Sequence, residues 1–154
     1  MNADAKSYLE EIVEPTIADF RDHPASLRHA FLACVVTFHF IDYIAHPKRS
    51  QNLRRRFGKE SPDFAIMDRV AHAIKHVKSS GDPKSPQKQN QSLHVTSLFE
   101  RPPGRAGVMR AGLSRLGDLK GGVEIWDEED SDLLSAVTKA AEFLRTKMNL
   151  SLDR

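Results

Sequence analysis

Histidines, an aspartate and arginines recur at helical spacing in two neighbouring segments. Arg28, His39, Asp42 and His46 fall in one, and Arg69, His72 and His76 in the next. If both segments are helical, each set shares a face. His39, Asp42 and His46 then lie within about 60° of one another, and Arg69 and His76 sit about 20° from eclipsed. A histidine beside an aspartate has its protonated form favoured by charge and opposed by burial, which is how a general acid or base is tuned. An arginine and a histidine on one face can clamp a phosphate and move a proton near neutral pH. The candidate catalytic set is therefore Arg69, His76, His72, His39 and Asp42. The i,i+4 pair His72 and His76 can also chelate from one helix side. That gives an alternative metal set of His39, Asp42, His46, His72 and His76, whose donors suit a divalent metal such as zinc. His39 and His46 are about 10.5 Å apart along a helix axis, so a shared ion would need Asp42 between them.

These residues depend on helices to position them. Residues 3–21 carry Tyr8, Ile12, Val13, Ile17 and Phe20 at three-to-four spacing, a helix that Pro15 should kink or split. A second helix over about 24–46 has Pro24 at its first position and Leu27, Phe31, Cys34, Phe38, Ile41 and Ala45 as its packed seam. The polar stripe beside that seam should contact another helix. Residues 47–60 form a basic connection with room for a short helix around Leu53. Ser61-Pro62-Asp63 starts a third helix, running to about Lys78. Its apolar stripe is Ile66, Val70, Ala73 and Val77, widened by Phe64, Met67, Ala71 and Ile74.

Residues 79–91 hold no core-forming side chain and read as a flexible loop. Leu93 to Phe99 and Val123 to Trp126 read as strands that pair across a long Gly-, Pro- and Arg-rich loop. Trp126 is a packing residue between hairpin and helix. Asp130 or Ser131 caps a last helix with Leu133, Val137, Ala140, Leu144 and Met148 on its core face. No internal repeat is expected. The predicted fold is mainly α: one domain over residues 1–154, a bundle of about four helices with a two-stranded β-hairpin (about 92–126) inserted before the last.

Composition narrows the chemistry. With 154 residues, 40% hydrophobic and 29% charged, the chain has enough material for one core. Cys34 is the only cysteine, which excludes an intrachain disulfide and a cysteine-rich zinc site; among Leu32, Val35 and Phe38 it reads as a buried small hydrophobe. Neither a targeting signal nor an apolar run of membrane-spanning length is apparent, so a cytoplasmic protein without a membrane partner is expected. The net charge of +2 conceals strong segregation. Lys48 to Lys59 holds six basic residues and no acid, Arg101 to Lys120 five against Asp118, and Glu124 to Asp132 six acids and no base. Lys48, Arg49, Arg54, Arg55 and Arg56 are accordingly candidate RNA-binding residues.

Arg69-Val-Ala-His-Ala-Ile-Lys-His76 resembles the Arg-x(4–6)-His motif of the HEPN superfamily, at the upper limit of its spacing. The resemblance implies a small helical bundle, a metal-independent ribonuclease activity and a site built across a homodimer, with Arg69 and His76 as its Arg and His. Val70 departs from the polar residue that often follows the family's Arg. Separately, His39-x2-Asp42-x3-His46, with Ala73-Ile-Lys75-His76 and the hairpin before the last helix, resembles a group of small uncharacterised bacterial proteins. That similarity implies architecture and a bacterial origin alone.

Three readings follow. The chain is an RNA-directed enzyme or binder without a cofactor, a His/Asp metal-binding bundle, or an interaction module whose His/Asp/Arg stripes form a buried network.

Overall fold

The computed structural model describes residues 3–152 apart from 83, 85, 88–90, 127, 129 and 130. It is mainly helical, 60% of it, with a two-stranded antiparallel sheet before the last helix. The elements are α1 (Ala3–Tyr8), α2 (Glu14–Asp22), α3 (Leu27–Ala45), α4 (Gln51–Glu60), α5 (Pro62–His76), β1 (Leu98–Arg101), β2 (Gly122–Ile125) and α6 (Leu133–Leu152). A π-helical turn over Leu9–Val13 joins α1 to α2, with the Glu14 amide reaching back to the Leu9 carbonyl. This π-helical turn is the form taken by the interruption expected at Pro15. The turn before it widens, and α2 restarts with proline in its first turn, where no amide is needed.

Helix α3 is the centre of the bundle, packed on α2, α5 and α6. It begins at Leu27 with Ser26 as its cap, so Pro24 lies ahead of the helix and not at its first position. By length and composition its 19 residues could cross a membrane, and 33% of that apolar stretch is buried inside the bundle. The buried face is Ala30, Ala33, Cys34, Thr37, Phe40 and Ile41. Phe31 and Phe38 of the predicted seam are only partly covered. Small residues face the core because they let neighbouring helices approach closely. Cys34 is fully buried, and burial pushes its thiol up to about 12.

Ser61 caps α5 as expected, its Oγ accepting from the Phe64 amide at 3.1 Å. Every predicted core residue of α6 is buried. The cap of α6 is Asp132, which accepts from the Ser135 amide at 2.9 Å. Ser131 instead bonds both backbone groups of Ile125, fastening the hairpin to α6; Asp130 lies outside the described residues. The hairpin is shifted from its predicted bounds: Leu98 pairs with Ile125 and Arg101 with Gly122, after a short 3-10 turn at Val95–Ser97. Trp126 is 55% exposed and meets Phe99 edge-on across the hairpin.

The basic connection is a full helix, α4, with one fully buried side chain. Phe57 meets Phe143 of α6 at 5.1 Å and Phe64 of α5 at 6.0 Å between ring centroids, both edge-to-face. Among the described residues Leu53 packs partly on the core, and ion pairs from Arg54 to Asp68 and from Glu60 to Lys147 complete the docking. Phe57→Ala should cost about 3–4 kcal/mol in urea unfolding, the usual loss for a buried phenylalanine. A cost under about 1 kcal/mol would show that α4 docks by other means.

Candidate functional site

The two polar stripes end up in different places. On α3, Arg28, Asp42 and His46 are exposed and His39 is half-buried. His39 Nδ1 approaches Asp42 Oδ2 at 3.3 Å, and Ser50 donates to the other carboxylate oxygen at 2.5 Å. Asp42 and His46 border a shallow pocket of about 280 Å³ with Asp4 and Tyr43. The stripe is thus largely open to solvent, and it meets Asp4 of α1 across that pocket and Ser50 at the start of α4.

On α5 the stripe runs from core to solvent. Arg69 is 5% exposed, and its Nη2 donates to Glu128 Oε2 at 2.7 Å, tying α5 to the segment between β2 and α6. His72 is partly buried one turn on. Its Nδ1 lies 3.0 Å from the Asp68 carbonyl, which can only accept, so Nδ1 carries the proton and Nε2 is the basic nitrogen. Asp68 also accepts from Arg54 Nε at 2.6 Å and Nη2 at 3.1 Å, a bidentate bridge from α4. His76 is exposed at the end of α5, its ring 6.1 Å from that of His72.

Phe38 separates the two sets. Its ring meets His39 at 5.4 Å and His72 at 4.9 Å, both edge-on, and Arg54 lies over it at 5.5 Å. The five candidate catalytic residues therefore do not form one constellation. Nor do the five alternative metal ligands: among the described residues no group of three or more His, Cys, Asp or Glu side chains is placed to hold an ion.

What the fold does bring together is α4 and the first half of α5. They line an open cleft of about 1040 Å³ with Arg54, Arg55, Lys59, Asp68, Arg69 and His72. Its far wall is Ser79 to Asp82 with Gln87. Although residues 79–91 are low in complexity, their start is anchored. The Ser79 amide donates to the Leu93 carbonyl, its Oγ accepts from the Leu93 amide, and Lys78 bridges His94. Gly81 lies so close to Ser92 that an added Cβ would stand 2.0 Å from the Ser92 amide nitrogen, so only glycine fits there. Lys48, Arg49 and Arg56 lie outside the cleft lining, and Arg56 pairs with Glu60 at 3.5 Å. Asp68 and Glu128 were not candidates from sequence. Their partners are 14 and 59 residues away in the chain, and no local spacing announces such pairs.

Compared with protein-family models, curated proteins and solved structures, the chain finds no match.

Two side chains give direct tests of this geometry. Glu128→Gln should lower stability by about 2 kcal/mol, the scale of one charged hydrogen bond, because it takes a charged acceptor from a buried guanidinium; no change in the urea midpoint would mean that Glu128 is dispensable to Arg69. Tyr8 donates to the Val36 carbonyl at 3.1 Å and stacks on Tyr43. Burial first, then Tyr43 and Asp42, push its phenol up to about 12. A raised folded pKa favours the neutral form, so this contribution to stability is complete below pH ~10 and is lost as pH rises toward 12. Phenolate absorbance should show a late step that Tyr8→Phe removes; a sole transition near pH 10 would contradict the docking of α1.

Proposed function

We propose that the chain binds RNA by its phosphate backbone in the cleft between α4 and α5. The observation that supports this best is the meeting of two separate sequence features in one groove. The basic run supplies Arg54, Arg55 and Lys59, and the α5 stripe supplies Arg69 and His72. Arg54 and Arg69 are held by carboxylates, which fixes their positions but reduces their free charge. Arg55 and Lys59 are exposed and enter no ion pair among the described residues, so they supply most of the attraction. Gln51, Gln87, Ser79 and Ser80 add uncharged polar groups suited to sugar hydroxyls.

A second reading, acid–base chemistry on the bound RNA, rests on His72. Its proton is fixed on Nδ1, leaving Nε2 to take a proton from a ribose hydroxyl. This departs from the HEPN resemblance, which pairs Arg69 with His76: Arg69 is tied to Glu128, and His76 is not among the cleft residues. A homodimer, as that resemblance implies, remains part of the proposal only for an Arg69–His76 site.

Two free cations predict a modest salt dependence. The slope of log affinity against log salt should be near −1.4 for single-stranded RNA, about −0.7 for each phosphate neutralised. Filter binding of a short oligonucleotide should give that slope, and Arg55→Ala with Lys59→Ala should bring it close to zero. Unchanged affinity in the double variant would overturn the proposed site. His72→Ala should retain binding and lose any cleavage; cleavage that persists would remove His72 from the chemistry.

A further inference from the structure

The loop between β1 and β2 contains a repeat, contrary to the expectation of a chain without one. Arg105-Ala-Gly-Val-Met, Arg110-Ala-Gly-Leu-Ser and Arg115-Leu-Gly-Asp-Leu succeed one another, and Lys120-Gly begins a fourth unit. The backbone repeats with the sequence. The Arg105 carbonyl accepts from the amides of Val108 and Met109, and the Arg110 carbonyl from those of Leu113 and Ser114. The Arg115 carbonyl accepts from Asp118. The glycine in third place has φ of +86°, +77° and +82° in turn, a conformation that side-chain-bearing residues rarely adopt. A period of five matches neither the helical nor the strand spacing of side chains.

This array is pinned at its foot. Arg101 holds Asp118 and Glu124, Arg115 Nη2 meets Glu124 at 2.9 Å, and the Gly104 amide donates to the Asp118 carbonyl at 2.6 Å. Asp118 also accepts from the amides of Lys120 and Gly121. The loop's one carboxylate is thereby occupied inside the loop. Arg105, Arg110 and Lys120 are exposed and enter no ion pair among the described residues. Between them stand apolar side chains in water: Leu116 is 90% exposed, Leu119 70%, Met109 47% and Val108 43%.

We propose that this turn array docks the protein onto an anionic lipid surface. Unpaired cations alternating with exposed aliphatic side chains match the boundary between headgroups and acyl chains: the cations meet lipid phosphates and carboxylates, and the leucines leave water. Nucleic acid is the poorer fit. Residues 102–121 contain no aromatic side chain on which a base could stack, and a phosphate backbone offers nothing to Leu116 or Leu119. The inference is independent of the RNA reading, since none of these residues lines the α4–α5 cleft.

Flotation of the full chain with vesicles tests it. Binding is expected to vesicles of phosphatidylcholine mixed with phosphatidylserine and not to phosphatidylcholine alone. Arg105→Ala with Arg110→Ala should weaken it about 25-fold, roughly fivefold per cation. Leu116→Ser with Leu119→Ser should weaken it at least about tenfold. All four positions are exposed, so circular dichroism should be unchanged. Failure to float with the anionic vesicles would overturn the proposal. So would binding that neither double variant alters, or arginine variants that lose RNA affinity while the leucine variants lose nothing.

Discussion

Burial of a single phenylalanine decides where the positive charge of this protein goes. Helix α4 is polar along almost its whole length, and Phe57 is its one fully buried side chain. Seated between Phe64 and Phe143, Phe57 holds α4 alongside α5 and against α6. The Arg54–Asp68 bridge fixes its rotation at the other side. Without that docking Arg55 and Lys59 would belong to a free connection. With it they line a groove together with Arg69 and His72.

The ionic contacts divide the same way. Some lie largely out of water: Arg69 with Glu128 joins α5 to the segment after β2, and Arg101 with Glu124 and Asp118 ties the two strands and their loop together. Pairs of this kind add little net stability over apolar contacts, but breaking one leaves a buried charge short of its partner. They fix register between parts of the chain far apart in sequence. The exposed cations, Arg55 and Lys59 in the cleft and Arg105, Arg110 and Lys120 on the loop, are left for partners.

Helix positions were legible wherever sequence carried a complete local signal. Ser61-Pro62-Asp63 contains everything an α5 start requires, and the apolar residues of α6 leave only one way to face the core. Helix α3 was legible as a helix but not in its orientation: so few of its residues are polar that periodicity cannot choose a face, and the choice fell to the small residues Ala30, Ala33 and Thr37. The His39, Asp42 and His46 stripe accordingly lies outside the lining of the α4–α5 cleft. Only Leu53 hinted at α4, and Phe57, its buried anchor, carried no periodic signal of its own. The cleft was legible in its parts and not as a whole, because its assembly depends on contacts such as Arg54 to Asp68 and Arg69 to Glu128. The five-residue repeat was present in the sequence throughout, at a period that helix and strand patterns do not sample.

The central claim is that the α4–α5 cleft is where RNA lies. Amide chemical-shift mapping with a short single-stranded RNA tests it most directly. Perturbations should concentrate at Arg54, Arg55, Lys59, His72 and Ser79 to Asp82. Perturbations absent there and centred on His39, Asp42 and His46 of α3 would contradict it.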